Sequence, residues 1–220
     1  MKILLLTKRN FWCDEVKNFL FTHFEEQNIK VYSSNEKYKK IPEEILKEEG
    51  DLLISFLSPW IIPATLLKKF ELAINFHPGP PEYPGTGCYN FALYEEAKEY
   101  GVTCHFITEK VDAGPIIKVI RFPILQTETV KSLRNKALSY LLVLFFDIMS
   151  KIINGEKLVP CGEQWKRKAF TRKDLEELCR ITPDMTKDEV IKRIKATCYP
   201  DMPGAYVEIF GKRFYYKCDQ

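Results

Sequence analysis

The sequence has no hydrophobic run long enough to span a bilayer and no strong excess of charge. Its most apolar stretch, residues 138–146, is followed by Asp147 and Lys151, whereas a spanning helix needs about 20 apolar residues. The apolar run near Met1 ends at Thr7, which is too short for a secretory leader. We therefore expect no membrane partner. The 33 basic and 30 acidic residues leave a net charge of +3, which argues against a nucleic-acid-coating protein.

Cysteine patterns that would indicate a disulfide framework or a zinc site are also missing. The seven cysteines are irregularly placed, and they form neither a Cys-x-x-Cys pair nor a cluster with histidine at metal-ligand spacing. We expect a protein of the reducing cytoplasm that holds no metal.

The glycine-rich signatures of nucleotide binding are absent as well. The segment after the first apolar run reads Thr7-Lys-Arg-Asn10, without the GxGxxG or GK[ST] patterns that cradle phosphates at a helix start. A length of 220 residues with 45% hydrophobic and 13% aromatic residues suffices for one sizeable core with an appendage.

Strands and helices alternate along the first three quarters of the chain, which predicts an α/β fold with a mostly parallel, Rossmann-like sheet. The predicted strands are 2–7, 29–32, 51–56, 72–77, 102–108 and 116–122, and the predicted helices are 11–27, 42–49, 64–70, 89–99 and 129–153. The last helix should end at a left-handed cap in Asn154-Gly155. After it we expect helices near 171–179 and 186–196 and a hairpin turning at Gly211. We therefore divide the chain into a catalytic domain, 1–157, and a small C-terminal segment, 158–220.

Polar residues at strand ends supply the candidate chemistry. Asn75 and His77 are two residues apart on one strand, so their side chains share a face. The amide can donate to an oxygen that gains charge, and the imidazole can carry a proton. A carboxylate such as Asp112 would favour the charged imidazole. No serine or cysteine occupies a nucleophile elbow, so the nucleophile should come from the substrate. Each signal taken alone is also typical of an ordinary turn.

Three segments in order strengthen the prediction: Ile74-Asn-Phe-His-Pro-Gly79, Gly101-Val-Thr-Cys-His105 and Val111-Asp-Ala-Gly-Pro-Ile-Ile117. Together they resemble the formyltransferase family that uses 10-formyltetrahydrofolate. The resemblance implies that Asn75, His77 and Asp112 are the catalytic residues. It also implies a folate pocket in which apolar side chains cover the flat ring and backbone groups bind its edge, formed by Phe56, Ser58, Trp60, Ile61, Ile62, Thr108, Glu109 and Asp112.

The loop His77-Pro-Gly-Pro-Pro-Glu-Tyr-Pro-Gly85 looks most like that of nucleotide-sugar N-formyltransferases, which act on TDP-linked amino-dideoxy sugars for surface polysaccharide such as O-antigen. This resemblance implies that the acceptor is the amine of such a sugar and that the C-terminal end forms a homodimer. A diphosphate needs fixed cations, and the predicted substrate contacts are Lys8, Arg9, Tyr83, His105, Lys166 and Arg167.

Other functions stay open at this point. A glycinamide ribonucleotide formyltransferase has similar length but a different histidine loop. A methionyl-tRNA formyltransferase would need a further domain and a basic face. A formyltetrahydrofolate hydrolase or a non-catalytic binder could share the fold.

Overall fold

A six-stranded sheet forms the centre of the protein in a computed structural model that describes residues 1–36, 40–200 and 202–218. The strand order is β2-β1-β3-β4-β5-β6. The strands are β1 (Ile3–Thr7), β2 (Ile29–Ser33), β3 (Gly50–Phe56), β4 (Phe70–His77), β5 (Glu99–Phe106) and β6 (Ile116–Pro123). Strands β1 to β4 pair in parallel, and β5 runs antiparallel to both of its neighbours. The predicted α/β fold with a mostly parallel sheet is confirmed.

The burial of β1 explains its unbroken apolar sequence. All five of its residues, including Thr7, are buried, because β1 has a paired strand on each side and packed side chains on both faces. Strands in this position carry continuous rather than alternating hydrophobic residues.

Five helices connect or cover these strands: α1 (Phe11–His23), α2 (Glu43–Leu46), α3 (Ala64–Leu67), α4 (Cys88–Tyr94) and α5 (Val130–Ile153). Asn10 caps α1, and Thr129 forms a capping box at the start of α5. Helix α4 ends five residues earlier than predicted, because Glu96 adopts a φ of +54° and β5 begins at Glu99. The predicted left-handed cap at Gly155 is confirmed by its φ of +73°.

The two faces of the sheet are covered unequally. Helices α1, α4 and α5 pack on one face over the main hydrophobic cluster, which includes Phe56, Ile74, Phe76 and Phe145. The short helices α2 and α3 contribute Ile45 and Leu66 to a smaller cluster on the other face. Because this second cover is short, the part of that face near the end of β4 is free to carry polar side chains.

The C-terminal segment contains α6 (Arg172–Cys179), β7 (Arg180–Ile181), α7 (Lys187–Thr197), β8 (Tyr206–Ile209) and β9 (Lys212–Tyr215). Strands β8 and β9 form the predicted hairpin, and β7, which was not predicted, pairs with β8. Leu178 and Ala196 bury their side chains in the main hydrophobic cluster, and the Asn90 side chain donates to the Ala196 carbonyl at 2.8 Å. The division of the chain at residue 157 stays a prediction.

One cysteine pair corrects the sequence-based expectation. Cys198, at the end of α7, forms a disulfide with Cys218, although the cysteine spacing had suggested no disulfide. The two residues are 20 positions apart and become neighbours because the hairpin returns the chain to its starting point, where the Tyr216 N–H donates to the Ala205 carbonyl at 2.8 Å. Across the described ranges, no helix is long and apolar enough to cross a membrane.

Candidate active site

Strands β4 and β5 place three of the predicted polar residues on one face of the sheet. Asn75 pairs directly with His105 across the two strands, and His77 pairs with Thr103. Ile74 and Phe76, which alternate with Asn75 and His77 along β4, point to the opposite face and join the main cluster. Alternation along a strand therefore buries the apolar half of β4 and presents Asn75 and His77 together.

Asp112 reaches this face from the loop between β5 and β6. Its backbone φ of +42° lies in the left-handed region, which costs a residue with a side chain of order 1–3 kcal/mol and persists only where surrounding contacts hold it. Asp112 Oδ2 lies 3.1 Å from His77 Nδ1 and accepts the Gly85 backbone N–H at 2.8 Å. Its Oδ1 lies 3.3 Å from His105 Nε2 and 3.4 Å from Asn75 Nδ2. One carboxylate thus contacts all the other polar groups of the site.

The contacts of His77 favour its charged form. Its Nδ1 faces Asp112, and its Nε2 lies 3.1 Å from the Tyr83 carbonyl oxygen, so both ring nitrogens face acceptors and both can donate. Burial by itself lowers the pKa of His77, but the Asp112 charge and its hydrogen bond outweigh that effect and raise the pKa above its ordinary value. Burial likewise raises the pKa of Asp112, and His77 and His105 more than offset it, so this pKa is lowered. Each partner therefore favours the charged form of the other.

His105 is an internal member of this cluster. It is 2% exposed, its Nδ1 lies 2.8 Å from the Phe106 carbonyl oxygen, and its Nε2 lies 3.0 Å from Asn75 Nδ2. We predicted that His105 contacts the acceptor. In the structure its ring contacts Asn75 and Asp112, and contact with the acceptor stays a prediction.

The cysteines near the site are poor nucleophiles. Burial raises the pKa of the Cys88 thiol to about 12, and burial also raises the pKa of Cys104. Neither forms a thiolate at neutral pH, which agrees with a reaction in which the substrate supplies the nucleophile.

Tyr83 and Arg167 are already paired with protein groups. The Tyr83 hydroxyl donates to Glu95 at 3.0 Å, and the Arg167 guanidinium binds both oxygens of Glu95 at 2.6 and 3.1 Å. The guanidinium also lies 5.3 Å from the centre of the Tyr83 ring. Contact of Tyr83 or Arg167 with a substrate stays a prediction. Such a contact requires the side chain to give up, or to share, its hydrogen bond to Glu95.

The residues predicted to bind folate divide into core and surface positions. The Phe56 side chain is buried against Phe76 and Phe145, so only its backbone can face a ligand. Ile62 is buried and Trp60 packs against the same smaller cluster, whereas Ile61 is 71% exposed.

Ser58, Thr108 and Glu109 lie on the two loops at this edge. Ser58 Oγ accepts the Trp60 N–H at 3.2 Å and Thr108 Oγ1 donates to the Lys110 carbonyl at 3.2 Å, so both hydroxyls shape their own turns. Glu109 is exposed.

The predicted cations lie on two separate segments. Lys8 and Arg9 follow β1, where the Arg9 N–H donates to Asn35 Oδ1 at 2.8 Å. Lys166 is exposed, and its backbone N–H donates to the Pro81 carbonyl at 3.0 Å. Because β3 alone separates β1 from β4, the Lys8 segment lies about 10 Å from the end of β4.

Lys166 and Arg167 were predicted as substrate contacts, but the path of the segment 159–171, which we call the strap, was not predicted. Its backbone binds the loop after β4: the Phe170 N–H donates to the Pro84 carbonyl at 2.9 Å, and the Thr86 N–H donates to the Phe170 carbonyl at 2.8 Å. The ring of Trp165 lies edge-on to His77 and His105, with ring centres 5.8 and 5.1 Å apart. The sequence feature that pointed to this contact was a single tryptophan, Trp165, in an otherwise charged segment.

Comparison with known proteins agrees with this geometry. The formyl transferase family model, Formyl_trans_N, matches residues 14–140. A GDP-perosamine N-formyltransferase of Brucella melitensis is 25% identical over 169 residues, which cover 76% of this chain and 64% of that protein. A methionyl-tRNA formyltransferase of Listeria innocua is 28% identical over 174 residues, covering 78% of this chain and 55% of that protein. The chain therefore spans between about half and two thirds of the length of these relatives.

Solved structures share the fold over almost the whole chain. A sugar N-formyltransferase of a Shewanella species has a TM-score of 0.79 at 19% identity, covering 99% of this chain and 97% of that one. An N-formyltransferase of Helicobacter canadensis, solved with folinic acid and dTDP-3-aminofucose, has a TM-score of 0.73 at 22% identity, covering 97% and 86%. Since the family model matches more than half of the residues, this protein belongs to the formyl transferase family.

Proposed function

We propose that the protein transfers a formyl group from 10-formyltetrahydrofolate to the amino group of a TDP-linked amino-dideoxy sugar. The observation that carries the proposal is the buried cluster in which Asp112 contacts His77 at 3.1 Å and lies next to Asn75 at 3.4 Å. Formyl transfer to an amine needs donors for an oxygen that becomes negative and a group that handles protons. The cluster supplies both.

The side chains divide this chemistry between them. As the neutral amine attacks the formyl carbon, Asn75 Nδ2 and His77 Nε2 donate to the formyl oxygen. That oxygen must displace the present partners of these donors, Asp112 Oδ1 at 3.4 Å from the amide and the Tyr83 carbonyl at 3.1 Å from the imidazole. Asp112 keeps His77 charged and oriented. The attacking amine loses a proton, and the folate nitrogen gains one when its bond to the formyl carbon breaks. His77 is suited to donate a proton to the leaving folate nitrogen and to accept the proton that the amine loses.

The surface beside the cluster fits a flat heteroaromatic co-substrate. Apolar side chains that are largely exposed stand on both flanking loops, Ile61 at 71% and Val111 at 48%. Trp60 and Ile107 pack on the same small cluster beneath them. Apolar surface with backbone groups at its edge suits a pterin ring, and the Helicobacter canadensis relative was solved with folinic acid.

The acceptor is proposed from two further observations. The Lys8 segment lies about 10 Å from the end of β4, two strands away at the usual spacing, where it could meet a diphosphate while the sugar amine lies at His77. Both the Brucella melitensis protein and the Helicobacter canadensis structure are named for nucleotide-linked amino sugars. The nucleotide base, the cytoplasmic setting and a role in surface polysaccharide belong to this proposal.

Self-association through the C-terminal hairpin is part of the same proposal. The hairpin turns through Phe210 and Gly211, both with positive φ, and Phe210 is fully exposed at 101%. Phe214 and Tyr215 on the edge strand β9 are 58% and 50% exposed. An exposed edge strand with aromatic side chains favours pairing with a second copy.

Incubation of the purified chain with 10-formyltetrahydrofolate and a panel of TDP- and GDP-linked 3-amino and 4-amino sugars tests the function. We expect formylated sugar from at least one TDP compound. Asn75→Ala and His77→Asn should each lower kcat by about a hundredfold or more, the usual cost of losing an oxyanion donor. Asn135→Ala, on the exposed side of α5, is the matched control and should keep full activity.

Other outcomes would redirect the assignment. Formate release without any amine would indicate a hydrolase, and turnover of glycinamide ribonucleotide or methionyl-tRNA alone would replace the sugar acceptor. Full activity of the Asn75 and His77 variants would refute the proposed roles of these two residues in formyl transfer.

A further inference from the structure

The strap crosses the candidate active site and binds the loops on both of its sides. The Cys161 N–H donates to the Ile116 carbonyl at 2.8 Å, and the Lys166 N–H donates to the Pro81 carbonyl at 3.0 Å. Ile116 begins β6, just after the loop that carries Asp112, and Pro81 lies in the loop after β4. The strap therefore connects the segments that supply His77 and Asp112.

Trp165 lies at the middle of the strap and contacts both segments. Its indole Nε1–H donates to the Gly114 carbonyl at 2.8 Å. Its ring meets the His105 ring at an angle of 89° and the His77 ring at 75°. An indole edge-on to two imidazoles occupies space that water would otherwise take.

The contact with Gly114 bears on Asp112, two residues earlier. Gly114 is packed so closely that a Cβ atom there would lie 1.8 Å from the Phe106 carbonyl oxygen. Asp112 itself has a left-handed φ of +42°, which needs support from neighbouring contacts. The Gly85 N–H supports its carboxylate at 2.8 Å, and the Trp165 indole supports its backbone loop.

We propose that Trp165 is a positioning residue for formyl transfer, holding the Asp112 loop in place and keeping water from the His77 and His105 rings. Trp165 orients the groups that act on the substrate and is not itself one of them. The kinetic consequence rests on the proposed function, whereas the effect on the histidine rings does not.

Histidine ring NMR tests the positioning without any substrate. The chain has three histidines, and the third, His23, is exposed on α1. In Trp165→Ala, the ring-proton signals of His77 and His105 should move because the indole ring current and the packing are lost. The signals of His23 should stay in place. Unchanged signals of His77 and His105 would overturn the proposal even if the enzyme proved to act on another acceptor.

Kinetics separate positioning from substrate contact. A misplacement of about 1 Å can cost on the order of a hundredfold in rate, so Trp165→Ala should lower kcat at least about tenfold with each KM changed less than about threefold. Trp165→Phe keeps an aromatic ring but loses the hydrogen bond to Gly114, and it should recover part of kcat.

The control variant removes another contact of the strap. Glu163 binds Arg121 at 2.6 Å at an exposed position, so Glu163→Gln should keep both kcat and the histidine signals. A higher KM with normal kcat in Trp165→Ala would assign Trp165 to substrate binding instead. An equal loss of kcat in Glu163→Gln would show that general loosening of the strap, and not Trp165, sets the rate.

Discussion

Replacing Asp112 by Asn tests the electrostatic core of the site. The substitution keeps the shape of the side chain but removes the charge that faces His77 Nδ1 at 3.1 Å and His105 Nε2 at 3.3 Å. Both Asp112 and His77 are less than 10% exposed, so the remaining imidazolium would be buried without a counter-charge. Breaking a buried pair by removing one partner usually costs about 3–5 kcal/mol, and we expect that loss in the free energy of unfolding near pH 6.

The pH dependence of the loss follows from the direction of each shift. In the wild type the pKa of His77 is raised, so its contribution is full below the unfolded value of about 6.5 and declines as the pH rises through the folded pKa. The lowered pKa of Asp112 gives a contribution that is lost only as the pH falls below about 4. In Asp112→Asn the hydrogen bond to the Tyr83 carbonyl still favours the charged ring, but burial opposes it more strongly. We therefore expect the pKa of His77 to fall below its unfolded value and stability to increase as the pH rises from 5 to 7.

Urea unfolding of the wild type and of Asp112→Asn between pH 5 and pH 9 measures how the free energy of unfolding of each protein changes with pH. The difference in free energy should be largest near pH 5.5 and should shrink as the pH rises through the raised pKa of His77, because the ring then loses its charge in the wild type as well. Asp147→Asn is the control, since its partner Lys118 at 3.0 Å is 39% exposed and surface pairs contribute about 0–1 kcal/mol. A loss below about 1 kcal/mol for Asp112→Asn, or the same slope as in the wild type, would refute the assignment of a charged pair.

Three further predictions concern a glycine beside the pair, a helix cap away from it and the pH profile of the reaction. Gly85→Ala should lower both the free energy of unfolding and kcat. A Cβ atom at φ +87° would lie 2.3 Å from the Phe170 carbonyl oxygen and would displace the Gly85 N–H that binds Asp112. Urea unfolding and turnover assays measure the two effects. Thr129→Ala removes the N-cap of α5 and should cost about 1 kcal/mol with unchanged kcat, as urea unfolding would show. A plot of kcat/KM against pH should be bell-shaped, since the amine must be neutral and His77 charged; a rate that keeps rising through the raised pKa of His77 would contradict its role.

Several features could be predicted from the sequence because they depend on local chemistry. The apolar runs of β1 and β3 and the alternating pattern of β4 specify buried strands. The spacing of Asn75 and His77 places both on one face whatever the rest of the fold does. Gly155 ends α5 since a glycine accepts a φ of +73° without strain.

Other features depend on contacts between residues distant in the chain. The antiparallel direction of β5 was not predicted, because the residues of one strand do not indicate which strands it pairs with or in which direction. The buried setting of His105 and the pairing of Arg167 with Glu95, 72 residues away, likewise have no local signature. The disulfide between Cys198 and Cys218 belongs to the same class.

The sequence by itself determined the fold class, the strands of the central sheet and the identity of Asn75, His77 and Asp112 as the candidate set. Only the tertiary structure decided that Asp112 lies between two imidazoles, that the Gly85 N–H holds its carboxylate at 2.8 Å, and that Trp165 covers the cluster. Secondary structure follows from the periodicity of neighbouring residues, which a sequence displays directly. The charge state of a buried imidazole follows from what surrounds it, and here the surroundings come from β4, β5, two loops and the strap, which only folding brings together.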